Sequence, residues 1–122
     1  MGKTLMVLSE DGRALVCKRC ELADGPWSRF RGLMGRARLE AEEGLMLRPA
    51  SSIHTSFMRF PIDAVFLDDQ LRVLGVRESL RPWRAAAVRG ASTVLELAAG
   101  ESARHRIAPG ERLRLFAPEA RR

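Results

Sequence analysis

The sequence predicts a mostly-β α+β domain, a small partly open barrel or a bent, antiparallel-rich sheet. It has one main helix over about 26–35 and a short helical turn over about 100–105. Three observations predict it. Apolar runs are short and are separated by turn signals such as Glu10-Asp11-Gly12, Asp24-Gly25-Pro26, Asp68-Asp69-Gln70 and Pro109-Gly110. One stretch has helical period: Trp27, Phe30, Leu33 and Met34 fall at i, i+3, i+6 and i+7. The strand-turn-strand spacing suits a barrel or sandwich and not a doubly wound sheet.

In chain order, Lys3–Leu8 and Ala14–Lys18 read as strands joined across Gly12. Asp24 is placed to cap the helix, with Pro26 in its first turn and Gly35 as its stop. The helix's apolar stripe is expected to face the core. Gly44–Leu47 is a short buried run ended by Pro49. Ile53–Phe60 reads as a strand by alternation, with Phe57 and Phe60 buried and Pro61 stopping its ladder. Ala64–Leu67 and Leu71–Arg77 make the clearest hairpin. Ser79–Ala91, with Pro82, Trp83 and Gly90, has no clean period and reads as a long loop. Thr93–Ala98 and Arg112–Phe116 complete the strands, about seven or eight in all.

A chain of 122 residues with 46% apolar and 30% charged residues is one domain (1–122) with a core of its own and a frayed tail at 118–122. Two cysteines do not make a disulfide scaffold. No apolar run approaches the roughly 18 residues of a membrane span, and the start reads as no signal peptide, so the expected location is cytoplasmic. Expected association is monomer or weak dimer.

The net charge of +6 is almost entirely arginine and permits an anionic partner. It tips clearly positive only over Arg77–Arg89 and Arg104–Arg122. With no tyrosine and few aromatics there is little to stack on, so nucleic acid is the least favoured partner.

Chemistry concentrates in the central run. Alternation places His54, Ser56 and Met58 on one face and Thr55, Phe57 and Arg59 on the other. Asp63 follows the Pro61 bend, where a turn can fold it back onto a base. A histidine with a neighbouring acid is the minimum for acid–base catalysis, so His54, Asp63 and Glu96 are the catalytic candidates; a histidine bonded only for structure is the simpler reading. Glu96 interrupts Val94–Ala98, facing opposite Leu95 and Leu97, and needs either an arginine such as Arg59 or water. Cys17 and Cys20 have C-x-x-C spacing, but only two histidines exist to complete a metal site, and the context is not thioredoxin-like. They read as free structural thiols, with no metal and no cofactor expected. Phosphate loops, dinucleotide fingerprints and nucleophile elbows are absent from the sequence.

Four blocks, Arg31–Arg36, Gly44–Leu47, His54–Asp68 and Val94–Gly100, together resemble the domain-of-unknown-function family 192 (DUF192), in that family's order. Recurring positions of the family that match include Gly32, Gly44, Thr55, Met58, Pro61, Asp63, Glu96 and Gly100. The resemblance implies a compact, mostly-β bacterial or archaeal domain with no established activity, and supplies no catalytic residues. Many members carry tryptophan where this chain has Phe57 and asparagine where it has Phe60.

The favoured expectation is a non-catalytic binding or accessory module. Its groove would lie between the 53–60 strand, the Glu96 strand and the 79–91 loop. It would take a small polar or anionic ligand through Thr55, Arg59, Arg81 and Arg84. The alternative is a hydrolase or transferase using His54 with Asp63 or Glu96, and a third reading is nucleic-acid binding through the arginine-rich surface.

Overall fold

The computed structural model describes residues 4–12 and 14–117. In chain order the strands are β1 (Thr4–Leu8), β2 (Leu15–Ala23), β3 (Glu43–Leu47), β4 (Ser52–His54), β5 (Ile62–Leu67), β6 (Val73–Leu80), β7 (Ala85–Ala87), β8 (Thr93–Ala98) and β9 (Arg114–Phe116). Helix α1 (Pro26–Arg31) lies between β2 and β3, and α2 (Glu101–Arg104) follows β8. Seven strands form one curled sheet in the order β6-β5-β8-β3-β2-β1-β9. All its pairs are antiparallel except β2–β3. β4 and β7 make a separate antiparallel ribbon.

The sheet curls into a half-barrel because its two edges approach each other. Val73 N–H donates to Glu111 O at 2.7 Å, Gly110 N–H to Val73 O at 2.8 Å and Leu113 N–H to Leu71 O at 2.9 Å. Alternation along the central strands then sorts side chains into two cores. Val65, Leu67, Leu95, Leu97 and Met46 join one apolar cluster with Val7, Val16 and Leu113. Ala64, Phe66, Val94, Leu45 and Leu47 join the other with Leu33, Leu39, Ile53 and Met58. β5 is buried along its whole length and therefore apolar on both faces, apart from Asp63. The Asp68 carboxylate caps the β5–β6 loop by accepting the N–H groups of Gln70 and Arg72, both at 2.9 Å, which holds its carboxyl below the usual range.

Several expectations are corrected. α1 ends at Arg31, and its N-cap is Gly25, not Asp24; the Ser28 hydroxyl accepts the Gly25 N–H at 3.1 Å. Trp27 and Phe30 are exposed, so the helical stripe does not reach the core; Leu33, in the turn beyond α1, is its buried member. The strand expected over 53–60 ends at His54, because Thr55 turns its N–H and hydroxyl toward residues 81–84 and leaves no ladder to continue. Phe57 is exposed there at φ 63°. The expected 79–91 loop contains the end of β6 and all of β7. The second strand runs to Ala23, well past Lys18. The expected frayed tail at 118–122 lies outside the described residues.

Among the described residues no helix is long and apolar enough to cross a membrane. Cys17 and Cys20 are free and buried in the first core. A hydrogen bond between the thiols lowers the pKa of Cys17 and raises that of Cys20, with burial raising Cys20 further. Among the described residues no cluster of histidine, cysteine, aspartate and glutamate is arranged to hold a metal ion.

Candidate functional site

The expected site residues separate into three places. Asp63, fully buried on β5, accepts four hydrogen bonds: Ser79 N–H at 2.9 Å, Gly100 N–H at 3.1 Å, Ser102 N–H at 2.9 Å and the Ser102 hydroxyl at 2.6 Å. These groups tie the end of β6 and the start of α2 to β5. Three backbone N–H groups and the Ser102 hydroxyl, and not His54 or an arginine, are what Asp63 meets after Pro61.

The second place holds Thr55, Arg59, Arg81 and Arg84. Thr55 is fully buried. Its hydroxyl donates to Arg81 O at 2.7 Å, stands 3.1 Å from Arg84 O and accepts Arg84 N–H at 2.8 Å. Thr55 N–H donates to Arg84 O at 2.8 Å, and Trp83 N–H donates to Thr55 O at 3.0 Å. Thr55 thus builds the turn on which Arg81, Trp83 and Arg84 stand exposed, while Arg59 is exposed two residues beyond Phe57.

The third place is a cavity of about 320 Å³ between α1, residues 47–54 and β8. Its lining includes Arg29, Phe30, Leu47, Ser52, His54 and Glu96. Glu96 is 2% exposed, on the face of β8 that carries Val94 and the second core. Arg59 is not its partner, being exposed elsewhere, and Glu96 Oε1 is buried without a hydrogen bond from the protein. Burial alone pushes its carboxyl up to about 8, so it is largely protonated at neutral pH.

His54 stands at the cavity wall with both ring nitrogens engaged. Nδ1 accepts Ser56 N–H at 3.2 Å, so Nε2 carries the proton and donates to Phe30 O at 3.1 Å. The ring packs 5.4 Å from that of Phe30. His54 therefore pins α1 over the cavity. Arg29, which the sequence had not singled out, is half-buried in the lining and donates from Nη1 to Asp24 O at 2.8 Å. Nothing local in the sequence marks it, because its position depends on where α1 crosses the sheet.

Fold and sequence together define a small mostly-β domain of one recognised class. The family model of DUF192, described as an uncharacterised ACR, matches residues 6–115, and the chain belongs to this family. A comparison with curated proteins finds no match. Among solved structures the chain is similar to a Novosphingobium aromaticivorans protein of unknown function. The two are 27% identical over 91% of this chain and 83% of that one, with a TM-score of 0.78. It is also similar in fold to a Sinorhizobium meliloti protein proposed to regulate transcription, at 24% identity, 94% coverage of both chains and a TM-score of 0.81. A third match, to a Burkholderia pseudomallei protein proposed to be exported, is 13% identical and covers 92% of this chain but 24% of that one, with a TM-score of 0.51.

Proposed function

We propose that the domain is a binding module whose pocket is the cavity over Glu96, and that its ligand is a small polar or anionic molecule. The observation that carries this is the Glu96 side chain, buried in the cavity lining with Oε1 unpartnered. A polar atom left unbonded in the interior is destabilising, and a ligand bringing a hydrogen-bond donor satisfies it. The volume is at the lower end of small-molecule pockets. A protonated carboxyl admits an anion without repulsion, and Arg29 supplies a positive charge at the same cavity. Arg59, Arg81 and Arg84 are on the neighbouring turns and do not line it.

The test is a screen of small polar acids, amides and polyols by thermal shift, with hits mapped by amide chemical-shift perturbation. Ligands should perturb residues 29–32, 47–54 and 96 and lose their effect in Arg29→Ala and Glu96→Ala. Hits that map elsewhere, or survive both substitutions, would reject the pocket.

The raised Glu96 pKa favours a second reading, a proton donor to a bound substrate. It predicts turnover of a pocket ligand that Glu96→Gln abolishes while binding is retained.

A further inference from the structure

Phe57 and Trp83 come from turns that are far apart in sequence, and their rings meet edge to face with centroids 4.6 Å apart. Both remain largely in solvent, 62% and 59% exposed. Both also hold left-handed backbone, at φ 63° and 66°, a conformation bulky side chains seldom adopt. The fully buried Thr55 clamps one turn to the other. An aromatic pair is thus presented outward on two hydrogen-bonded turns, where burial would be the ordinary outcome.

Arginines flank both aromatic residues in sequence. Arg59, Arg81 and Arg84 are exposed, and among the described residues none of them forms an ion pair. Arg84 Nη1 folds back to within 3.3 Å of Trp83 O. The few aromatics of the sequence argue against stacking platforms, but the fold exposes two of them side by side, with Trp83 in one of the two stretches where the charge tips clearly positive.

We propose that Phe57 and Trp83, with Arg59, Arg81 and Arg84, form a binding surface for single-stranded nucleic acid. Bases stack on the rings and phosphates meet the guanidiniums. In an edge-to-face pair the ring supplying its edge keeps both faces uncovered by its partner, and an open π-face at a fixed angle is what a base needs. A bilayer draws on apolar bulk and is indifferent to ring angle. A duplex groove admits a helix or a strand ribbon, and these residues stand on turns. This surface is separate from the Glu96 pocket, so either proposal can fail without the other.

The experiment titrates the full chain with a fluorescein-labelled oligothymidine of about twenty nucleotides, followed by anisotropy at about 50 mM salt. Binding is expected, with affinity falling as about the second power of salt for three phosphate contacts. Trp83→Ala and Phe57→Ala should each weaken it about tenfold, while Phe116→Ala, an exposed aromatic on β9, leaves it unchanged. In a Trp27→Phe background Trp83 is the sole tryptophan, and its fluorescence should be quenched by the oligonucleotide; this reads stacking with both proposed rings intact. Absence of binding, or binding without quenching, overturns the proposal. Equal affinity for polyglutamate, or binding to phosphatidylglycerol vesicles in place of the oligonucleotide, overturns it in favour of an acidic protein or a membrane surface.

Discussion

Thr55 and Arg84 are joined by reciprocal hydrogen bonds: Thr55 N–H donates to Arg84 O, and Arg84 N–H donates to the Thr55 hydroxyl, each at 2.8 Å. One buried hydroxyl thereby replaces the strand ladder expected over 55–60. Thr55→Val removes the acceptor for Arg84 N–H and the donor to Arg81 O while keeping the shape. It should destabilise the fold by about 2–4 kcal/mol in chemical denaturation. Thr55→Ser should recover most of this. Little loss in valine with a full loss in serine would mean that packing of the methyl group, and not the hydroxyl, holds the turns.

Asp63 is the anchor on the opposite side of β5. Asp63→Asn leaves one carboxylate oxygen replaced by a donor that must face N–H groups from Ser79 or from Gly100 and Ser102. We expect a loss of at least about 3 kcal/mol, with local opening around residues 99–105 seen by amide exchange. Retention of native stability would show that these bonds contribute little beyond geometry.

Glu96 makes stability depend on pH in the direction opposite to an ordinary paired carboxylate. Its carboxyl titrates near 8 in the folded chain against an ordinary 4.5, so between those values the folded state holds the extra proton. Its contribution to stability therefore falls as pH rises from about 4.5 to 8 and is flat above. The charged or titratable side chains lining the same cavity are Arg29 and His54. Glu96→Gln should gain on the native chain by roughly 3–5 kcal/mol between pH 5 and pH 9. A difference between the two chains that does not change with pH would sink the assignment of a buried, unpartnered acid.

Gly44 sits where β3 meets both the cysteine pair and the Glu96 strand. A Cβ there would lie 2.9 Å from Cys17 Sγ, 3.1 Å from Glu96 O and 3.2 Å from Leu97 Cδ2. Gly44→Ala should destabilise by about 1–3 kcal/mol. Adding Cys17→Ala should restore part of that, since the nearest obstacle is removed while the carbonyl remains; simple additivity of the two changes would contradict the contact.

What could be read from the sequence follows how local each determinant is. The 64–77 hairpin, the 93–98 strand and the turn at 100–105 matched expectation, because two-sided burial and turn chemistry are written within a few residues. The alternation of Val94–Ala98 also placed Glu96 on the correct face. Its isolation was not legible, since that depends on α1 crossing above it. Thr55 looked like part of a strand because its partners are 26 and 29 residues away. Helical period in Trp27 and Phe30 defined a face but carried no information on whether anything packs against it. The expected ligand-binding residues do gather on adjoining turns, apart from the cavity that holds Glu96.

The single parallel pair, β2–β3, has a consequence for how this domain can change. Parallel neighbours cannot be joined by a tight turn, so the chain between Ala23 and Glu43 must travel back along the sheet. On that return path it lays α1 beside the Glu96 position, and the cavity has part of its wall on a connection, not on a ladder. Substitutions in residues 24–42 can therefore alter the pocket's size and chemistry without disturbing strand register. The wall of the proposed pocket is thus split between a sheet held by its ladders and a crossover free of them, and the crossover is where its shape can vary.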